Sequence, residues 1–536
     1  MKRTAITFII SLYAFTNIAQ QGSSAQLSNE IRLKVESGSS IPIAFGSGIC
    51  CRVAVSQFYF SNLFVSIWNA QRAMGLLEAI ENCDKEGLNP EDYHFSVLNT
   101  LFTKQDKTVL EQAEFELLLT DSFLLLASHM MSGKVDPTLI DSNWKTVRRE
   151  GDPVELLKLA IGSSDIMGTL YSIRPKYKAY ARLMDKLALH LQIAEKGGWE
   201  KIADGETIRI GAEDNRVVAI RKRLRSTGDL KSEMDEESKI YDEDVQNAIK
   251  RFQKRHGLEI DGNVGKLTLE SLNVPVEDRI KDIRVNLERC RWLPQDLGDH
   301  YIMVNIPAFE MEVIKNGEVK IEMDVAVGKP YRETPVFSSK MIYLVLNPYW
   351  TVPPTILAND MIPAQAKNPN YLKNVNIKVL DTRGNVVDPA TIDWNTVSAK
   401  TFPYILRQDP GPNNALGEVK FIFPNPYNVY MHDTNHRELF VKADRALSSG
   451  CIRLSRPRQL EEYLLIENSD WTEEKISEVL KSQQNYTVPL AEPLMVYLQY
   501  WTSFIDEQGL HNFRKDVYGR NERVYRALTA IQPILN

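Results

Sequence analysis

The chain is poor in cysteine, with five cysteines in 536 residues. So few cysteines exclude a disulfide framework as the main source of stability, because disulfide-dense domains carry several bridges in a short sequence. The number is odd, so at least one thiol has no partner within the chain. The sequence leaves the pairing of Cys50, Cys51, Cys83 and Cys290 open, and Cys451 lies far from the other four.

Histidine is also scarce, and basic residues do not outnumber acidic ones. Of the eight histidines only His432 and His436 lie close together, and no cysteine or glutamate pair completes a zinc-ligand spacing. The sequence therefore predicts no metal site and no cofactor. The formal net charge is −6, from 64 Lys+Arg and 70 Asp+Glu, which gives no basic excess for a nucleic-acid partner.

Long apolar runs are absent beyond the N-terminus. There, Lys2 and Arg3 precede an apolar run to about Phe15, and small residues follow up to Ala25. This order predicts a secretory signal at residues 1–25. The run is short for a membrane span, since a hydrocarbon core of roughly 30 Å needs about 20 apolar residues. We therefore expect an exported protein, which would be membrane-associated if the signal stayed uncleaved.

Two helical regions follow the signal. Residues 27–213 carry apolar residues at helical spacing and predict a helical scaffold domain. Residues 214–275 predict three helices, with a Gly-rich turn before the third. The segments AIKRFQKRHGL, DGNVG and TLESL resemble the peptidoglycan-binding-type three-helix domain. Such a domain could bind glycan strands or could act as a spacer that positions a catalytic unit, and the sequence leaves both open.

After these helical regions, the spacing of apolar residues changes from the helical period to the two-residue period of strands. Over residues 300–467 apolar and polar residues alternate, and Asn316-Gly317 predicts a hairpin turn. A stretch at about 354–404 interrupts the strands and predicts an inserted lid. Residues 468–536 predict a helical C-terminal segment that packs on the scaffold. The expected fold class is multidomain α+β, with a β-rich catalytic domain.

Cys451 lies in the segment RALSSGCIRLSRP. Free cysteine is most often a buried, small apolar residue. Gly450, however, permits a sharp turn that would aim backbone N–H groups outward, as in acyl-transfer sites. A thiol is mostly protonated at neutral pH and needs a base or a cation nearby. His432, which follows the alternating YNVYM, is the first candidate base, and His436, in the polar TNHRE, is the second.

The spacing distinguishes the two histidines. Fifteen residues separate His432 from the SSGC segment that ends at Cys451, against eleven for His436. Together with VAVGKPYRETPVF, LNPYWTVPPTI and RQDPGPNNALGEVKF, this pattern resembles the YkuD-type L,D-transpeptidase family, and the resemblance selects His432. Ser449 stands where the usual family member has histidine, and Asp433 where small members often have glycine. Both departures are similar to the large, multidomain YcbB-like group of Gram-negative bacteria.

The resemblance implies a peptidoglycan L,D-transpeptidase. Cys451 would attack the carbonyl that precedes the terminal D-alanine of a stem tetrapeptide, with His432 as base. Backbone N–H groups at Ser449, Gly450 and Cys451 would bind the oxyanion. An amine of a neighbouring stem would then take the acyl group and form a 3-3 cross-link. The implied setting is the periplasm, the implied partners are donor and acceptor stems and cell-wall synthases, and carbapenem-type β-lactams are the implied inhibitors.

Five further residues are candidates for the site. Arg453 is either a clamp for a substrate carboxylate or part of a structural ion pair. Asp433 either orients the catalytic base or holds its own turn. Tyr430, Trp350 and Asn347 are candidate substrate-binding residues, although the two aromatic side chains could equally belong to the core.

Two other functions stay open at this point. With water as the acceptor, the same site would make an L,D-carboxypeptidase or an endopeptidase, and the sequence barely separates these activities from transpeptidation. A non-catalytic wall-binding scaffold is the third possibility. A scaffold without activity would be expected to have lost the cysteine or the histidine. Both Cys451 and His432 are present, which disfavours this possibility.

Overall fold

The computed structural model describes residues 20–37, 48–146, 148–231, 237–465 and 470–530. The predicted signal at residues 1–25 lies outside the described residues as far as residue 19. Among the described helices, none combines the length and the apolar character needed to cross a bilayer. The chain divides into two compact units, the first formed by residues 1–134, 150–174 and 529–536, the second by residues 135–149 and 175–528.

The first unit is helical. The helices up to residue 172 are α1 (Gln20–Glu36), α2 (Arg52–Ser61), α3 (Ala70–Glu81), α4 (Phe95–Thr103), α5 (Val109–Ser132), α6 (Pro137–Ile140, in the second unit), α7 (Pro153–Ser163) and α8 (Ile166–Ser172). Helix α5 is at the centre and opens with a capping box between Thr108 and Glu111. It is buried around most of its circumference, including the charged side chains of Glu114, Glu116 and Asp121, and packs against α1, α2, α3, α4 and α7.

The second unit contains the predicted three-helix domain. After α9 (Lys178–Glu195), helices α10 (Arg216–Ser226), α11 (Glu243–Arg255) and α12 (Lys266–Leu272) enclose one apolar core that includes Val217, Ile249 and Phe252. Helix α13 (Val276–Arg291) follows and packs along α9. Because α9 belongs to the second unit, the range 27–213 predicted as scaffold crosses the division between the units.

The strands all lie in the second unit. They are β1 (His300–Asn305), β2 (Glu310–Lys315), β3 (Glu318–Gly328), β4 (Phe337–Leu346), β5 (Trp350–Thr351), β6 (Lys378–Leu380), β7 (Val386–Val387), β8 (Ile405–Gln408), β9 (Val419–Ile422), β10 (Met431–His432), β11 (Ala446–Ser448), β12 (Ile452–Leu454), β13 (Tyr486–Gln499), β14 (Ser503–Ile505) and β15 (His511–Phe513). Asn316 and Gly317 both have positive φ, 56° and 74°, which confirms the predicted β2–β3 hairpin turn.

The main sheet closes on itself. Its order is β11-β3-β12-β10-β9-β4-β13-β1-β2, and β2 also pairs with β3. Strand β3 is long enough to pair with β2 along residues 318–324 and with β12 at residues 325–326, so the ring is complete. Most neighbouring strands are antiparallel, while β1–β13, β10–β12 and β11–β3 are parallel.

The predicted lid folds as a small subdomain with a core of its own. Strands β5, β8, β6 and β7 form a second sheet, and α14 (Pro354–Ile356), α15 (Ile362–Lys367) and α16 (Tyr371–Asn374) accompany it. Leu372, Val379 and Trp394 are buried between them. The insert at 354–404 is therefore a folded element rather than a loop, and its movement as a lid stays a prediction.

The C-terminal segment corrects the sequence analysis. Residues 468–536 were expected to be helical, and α18 (Glu473–Ser482) and α19 (Asn521–Thr529) are, as is α17 (Pro457–Leu465) before them. Between them, however, β13 lies inside the main sheet, between β4 and β1. Pro489 and Pro493 interrupt its alternating pattern, and the pairing with β4 shifts register between Pro489 and Leu494. Prolines lack the ladder N–H, so they conceal this strand in the sequence.

A buried carboxylate connects α13 to the segment at residue 135. Glu288 is fully buried and accepts hydrogen bonds from the Val135 N–H (2.7 Å), the Arg291 guanidinium (2.6 Å) and the Trp292 indole N–H (3.3 Å). Arg291 is also fully buried. Removal of the carboxylate would leave that guanidinium inside the protein without its counter-charge.

We predict that Glu288→Ala lowers the free energy of unfolding by about 3–5 kcal/mol, the typical cost of breaking a buried ion pair from one side. Denaturant and thermal unfolding of the full chain would measure the change. Glu277→Ala, at an exposed position of the same helix, is the matched control and should change stability by no more than about 0.5 kcal/mol. Equal effects of the two substitutions would contradict the structural role assigned to Glu288.

Candidate active site

Two short parallel strands position the candidate nucleophile and base. In the β10–β12 ladder Met431 lies opposite Ile452, and His432 lies opposite Arg453. Met431 and Ile452 are completely buried on one face of the sheet. Because side chains alternate between faces, His432 and Arg453 lie on the other face, and Cys451, two positions before Arg453, is directed to that same face.

The turn before Cys451 is held by hydrogen bonds. Gly450 has a φ of 114°, a conformation that side-chain-bearing residues rarely adopt. The carbonyl of Gly450 accepts a hydrogen bond from the Thr334 hydroxyl (2.8 Å), and the Ser448 hydroxyl donates to the Cys451 carbonyl (2.5 Å). The sequence therefore places glycine where the backbone must turn, and the surrounding hydroxyls fix the direction of the Cys451 backbone.

Hydrogen bonds at this turn engage one of the three expected oxyanion donors. The N–H of Gly450 donates to the Ser448 hydroxyl oxygen at 3.1 Å. The Ser449 hydroxyl accepts a hydrogen bond from Arg332, which leaves the backbone of Ser449 unaffected. Within the described part of the chain, neither the N–H of Ser449 nor that of Cys451 has a hydrogen-bond acceptor. The amides of Ser449 and Cys451 therefore stay the candidate oxyanion donors.

His432 is buried and neutral. Its Nδ1 lies against the carbonyl oxygen of Asp433, which can only accept, so Nδ1 carries the proton and Nε2 keeps its lone pair. Burial, assisted by the charges of Arg453 and Lys420, lowers the pKa of the imidazole from 6.5 to about 3. At neutral pH the ring is therefore an unprotonated base of defined tautomer.

Asp433 orients the base through its backbone and holds its own turn with its carboxylate. The carboxylate accepts hydrogen bonds from the N–H groups of Glu418 (2.9 Å) and Thr434 (2.6 Å) and from Arg437. A Cβ on Gly417, which has a φ of 60°, would lie 2.2 Å from the Asp433 Oδ2 atom, so glycine is required there. The backbone carbonyl of Asp433 thus contacts the imidazole of His432, and its carboxylate holds the turn.

Two cations and a phenol surround the thiol. Burial raises the pKa of Cys451, while hydrogen bonding from Tyr430 and the charges of Lys420 and Arg453 act in the opposite direction. Lys420 lies opposite His432 in the β9–β10 ladder, and its ammonium is 4.4 Å from the centre of the Tyr430 ring. The thiol is therefore protonated at rest, in a site whose charges favour the thiolate once it forms.

Arg453 has no counter-ion in the described part of the chain. Its Nε is buried without a hydrogen-bond partner, and no described carboxylate lies within ion-pair distance. Its charge interacts with Cys451 and with Glu438, and burial lowers its pKa. Of the two predicted roles, the structural ion pair is therefore wrong, while the carboxylate clamp stays a prediction.

Two of the predicted substrate-binding residues lie elsewhere. Asn347 is buried, and its amide donates to the carbonyls of Val479 (2.8 Å) and Gln484 (3.0 Å), so it ties the C-terminal end of α18 to the sheet. Its amide donors are therefore already engaged within the protein, and its substrate-binding role stays a prediction. Trp350, in β5, packs on the apolar core of the insert. Tyr430 is the member of this group that interacts with Cys451.

Sequence reasoning missed the residues that support the site from a distance. Arg332 pairs with Asp360 of the insert (2.6 and 2.9 Å) and donates to the Ser449 hydroxyl (3.0 Å), two positions before the thiol. The Tyr518 hydroxyl donates to the Gly328 carbonyl (2.6 Å), beside the threonine that holds Gly450. Long-range hydrogen bonds of this kind leave no local pattern, and no spacing rule could have found them.

Comparison with known proteins assigns the domains. A family model described as "L,D-transpeptidase catalytic domain" (YkuD) matches residues 299–470, which include both Cys451 and His432. Residues 299–470 are therefore similar to the YkuD family. Residues 213–272 match a model described as "Putative peptidoglycan binding domain", and residues 53–187 match one described as "Scaffold domain". The helical scaffold, the peptidoglycan-binding-type domain and the β-rich catalytic domain predicted from the sequence are confirmed.

Three proteins similar to this chain carry the name L,D-transpeptidase. A Haemophilus influenzae protein named "Putative L,D-transpeptidase" is 38% identical over 242 residues, which cover 45% of this chain and about half (48%) of that protein. Among solved structures, an L,D-transpeptidase from Mycobacterium smegmatis is 14% identical, covering 38% of this chain and 58% of its own (TM-score 0.19). The L,D-transpeptidase LdtMt1 in complex with imipenem is 16% identical, covering 38% and 59% (TM-score 0.17).

We predict that the reactive thiol of the YkuD domain is protonated at neutral pH. Alkylation of Cys451 by iodoacetamide should accelerate as pH rises beyond the pKa of an ordinary thiol, about 8.5. Lys420→Met should displace the profile to higher pH, because it removes a positive charge that favours the thiolate, whereas Lys420→Arg should leave it near that of the wild type. Peptide-level mass spectrometry over a pH series would report Cys451 alone. Rapid, pH-independent alkylation down to pH 6 would instead indicate a preformed thiolate–imidazolium pair.

Proposed function

We propose that this protein is a peptidoglycan L,D-transpeptidase that forms 3-3 cross-links through a Cys451 acyl-enzyme and releases D-alanine. The observation that carries the proposal is the placement of Cys451 on the same sheet face as His432, with the Cys451 N–H open beside the sulfur. A nucleophile, a neutral base and an oxyanion donor are the three groups that acyl transfer needs.

The proposed reaction has two halves. In the first, Nε2 of His432 takes the thiol proton as the sulfur attacks the stem carbonyl, and the Cys451 N–H stabilises the oxyanion. The imidazolium then gives its proton to the departing amino group of D-alanine, which leaves a thioester on Cys451. In the second half, the amine of an acceptor stem attacks the thioester, His432 takes its proton, and the thiol is restored. With water as acceptor the same steps give hydrolysis.

Arg453 and Lys420 supply the positive charge of the site. Arg453 is directed to the face of the thiol and has no carboxylate partner in the described chain. We propose that it binds a carboxylate of the stem peptide, since guanidinium pairs with carboxylates in a bidentate manner. Lys420 stabilises the thiolate that precedes or follows each half-reaction, because its ammonium lies against the Tyr430 ring that itself contacts the thiol.

The other domains favour a cell-wall setting. The match of residues 213–272 to a peptidoglycan-binding model supports attachment to the substrate polymer. Such a substrate lies outside the cytoplasm, so the proposal includes export to the periplasm by the N-terminal signal. The insert, tied to the Ser449 loop through Arg332 and Asp360, is positioned to shape the acceptor groove. Cell-wall synthases are the proposed partners that would supply nascent strands.

We predict that the purified mature protein converts tetrapeptide muropeptides into cross-linked dimers with loss of D-alanine. Cys451→Ala should abolish both products, and His432→Ala should lower the rate by roughly 10²–10⁴-fold, the usual contribution of a general base. His436→Ala is the matched control, because this exposed histidine contacts Glu438 and should leave the rate unchanged. Mass spectrometry of the digests would quantify dimers and tripeptides.

The same experiment separates the alternatives. Tripeptides without dimers would replace the transpeptidase proposal by an L,D-carboxypeptidase. A Cys451→Ala variant as active as the wild type would reject the cysteine mechanism altogether. Complete inactivity of the wild type, with retained binding to peptidoglycan sacculi, would favour a non-catalytic scaffold.

Carbapenem-type β-lactams should acylate Cys451. The β-lactam carbonyl is an activated acyl donor that would occupy the position of the stem carbonyl, and the resulting thioester should persist if water attacks it slowly. Intact-mass spectrometry of protein treated with a carbapenem should show one adduct per chain, and peptide mapping should place it on Cys451. Cys83→Ala, which removes a buried thiol of the first unit, should retain the adduct, whereas an adduct on Cys451→Ala would contradict the assignment.

A further inference from the structure

A second cluster of reactive side chains lies in the first unit. Cys50 precedes α2, His94 precedes α4, and Asp121 lies in the middle of α5. One side-chain ligand atom from each residue lies within 4.8 Å of the other two, and all three residues are buried. The sequence analysis predicted no metal site because these positions are 27 and 71 residues apart and form no spacing motif.

The cluster is already organised around the Asp121 carboxylate. Its oxygens accept hydrogen bonds from the N–H groups of Cys50 (3.0 Å) and Cys51 (2.6 Å) and contact Nε2 of His94 (2.9 Å). His94 has a φ of 57°, in the left-handed region that residues other than glycine adopt infrequently. The backbone therefore adopts an uncommon conformation at the residue whose imidazole reaches the carboxylate.

The donor atoms have the chemistry of a zinc site. Thiolate sulfur, imidazole nitrogen and carboxylate oxygen are the three ligand types that Zn²⁺ takes in proteins. One thiolate and one carboxylate carry two negative charges, which neutralise a divalent cation in a buried site where net charge is costly. Bonds of about 2.0–2.3 Å place tetrahedral ligands roughly 3–4 Å apart, so these side chains need only small rotations to close on a metal.

We propose that Cys50, His94 and Asp121 form a structural Zn²⁺ site that joins three separate segments of the first unit. Cys51, whose thiol also reaches Asp121, or a water molecule would supply the fourth ligand. The inference is independent of the catalytic proposal, because the site lies in the other unit and uses none of the catalytic residues.

A second possible role for these three residues is that of a cysteine nucleophile with its partners. The negative charge of Asp121 beside Cys50 disfavours that role. The Asp121 carboxylate accepts hydrogen bonds from the N–H groups of Cys50 and Cys51 and so places a negative charge beside both cysteines. A carboxylate beside a thiol disfavours the thiolate that a nucleophile needs. A divalent cation between the two groups reverses this effect, because the thiolate and the carboxylate then both bind the metal.

Zinc binding can be measured on the full chain, reduced, free of any polyhistidine tag, and carrying Cys451→Ser to remove the catalytic thiol. After dialysis against a chelator, titration with Zn²⁺ should saturate at one ion per chain and raise the thermal unfolding midpoint. Replacement by Co²⁺ should produce a thiolate-to-metal charge-transfer band in the near ultraviolet together with the visible d–d bands of a tetrahedral site.

Cys50→Ser and His94→Gln each remove one ligand with little change in volume, and Cys83→Ser is the matched control at a buried cysteine of the same unit. We expect the two ligand variants to lose more than the roughly 10–100-fold in zinc affinity that loss of an outer partner costs, while the control retains the site. If one ligand variant does not fold, the other and the Co²⁺ spectrum of the parent still decide the matter. No zinc uptake by the parent, or equal uptake by both ligand variants and the control, would overturn the proposal and leave the trio as a hydrogen-bonded anchor.

Discussion

The parallel pairing of β10 with β12 is the interaction on which the candidate active site depends. It spans two residues of β10, yet it places His432 opposite Arg453 and sets Cys451 on the same face. The completely buried Met431 and Ile452 hold the opposite face, so a shift of one residue would move His432 to the face of Met431 and Ile452, away from Cys451. The strand pairing sets the positions of Cys451 and His432. The hydrogen bond from Thr334 to the Gly450 carbonyl and the contact of His432 with the Asp433 carbonyl then fix their orientations.

The electrostatics of this site combine two opposed effects. Burial makes charge costly, which keeps the thiol protonated and the imidazole neutral before substrate binds. The nearby cations Lys420 and Arg453 lower the cost of the thiolate and raise that of the imidazolium. The arrangement favours proton transfer coupled to attack over a permanent ion pair. It also limits unwanted oxidation of the thiol, because the thiolate is the oxidisable form.

Turn residues and residue spacing in the sequence predicted those features of the structure that depend on neighbouring residues in the chain. The hairpin at Asn316-Gly317 follows from turn chemistry. The spacing, read through the family resemblance, selected His432, which does lie on the strand paired with β12, while its role as base stays a prediction. The strand β13 was hidden by its two prolines, and the contacts of Asn347 with the end of α18 could not be foreseen because nothing in its sequence neighbourhood reveals that helix end. Lys420 and the Cys50 cluster depend on residues that only tertiary folding brings together, so neither could be found along the chain.

The position of β13 has a consequence for the order in which the protein can mature. This strand lies between β4 and β1, and Tyr518, which bonds the Gly328 carbonyl next to the nucleophile loop, follows it. During synthesis from the N-terminus, Cys451 is therefore added to the chain before strand β13, which the main sheet needs for its closure. The helical domains can fold as they emerge, but the catalytic sheet cannot be completed until the last tenth of the chain has been synthesised. The proposed acyl-transfer activity would in this way be withheld from nascent and prematurely terminated chains.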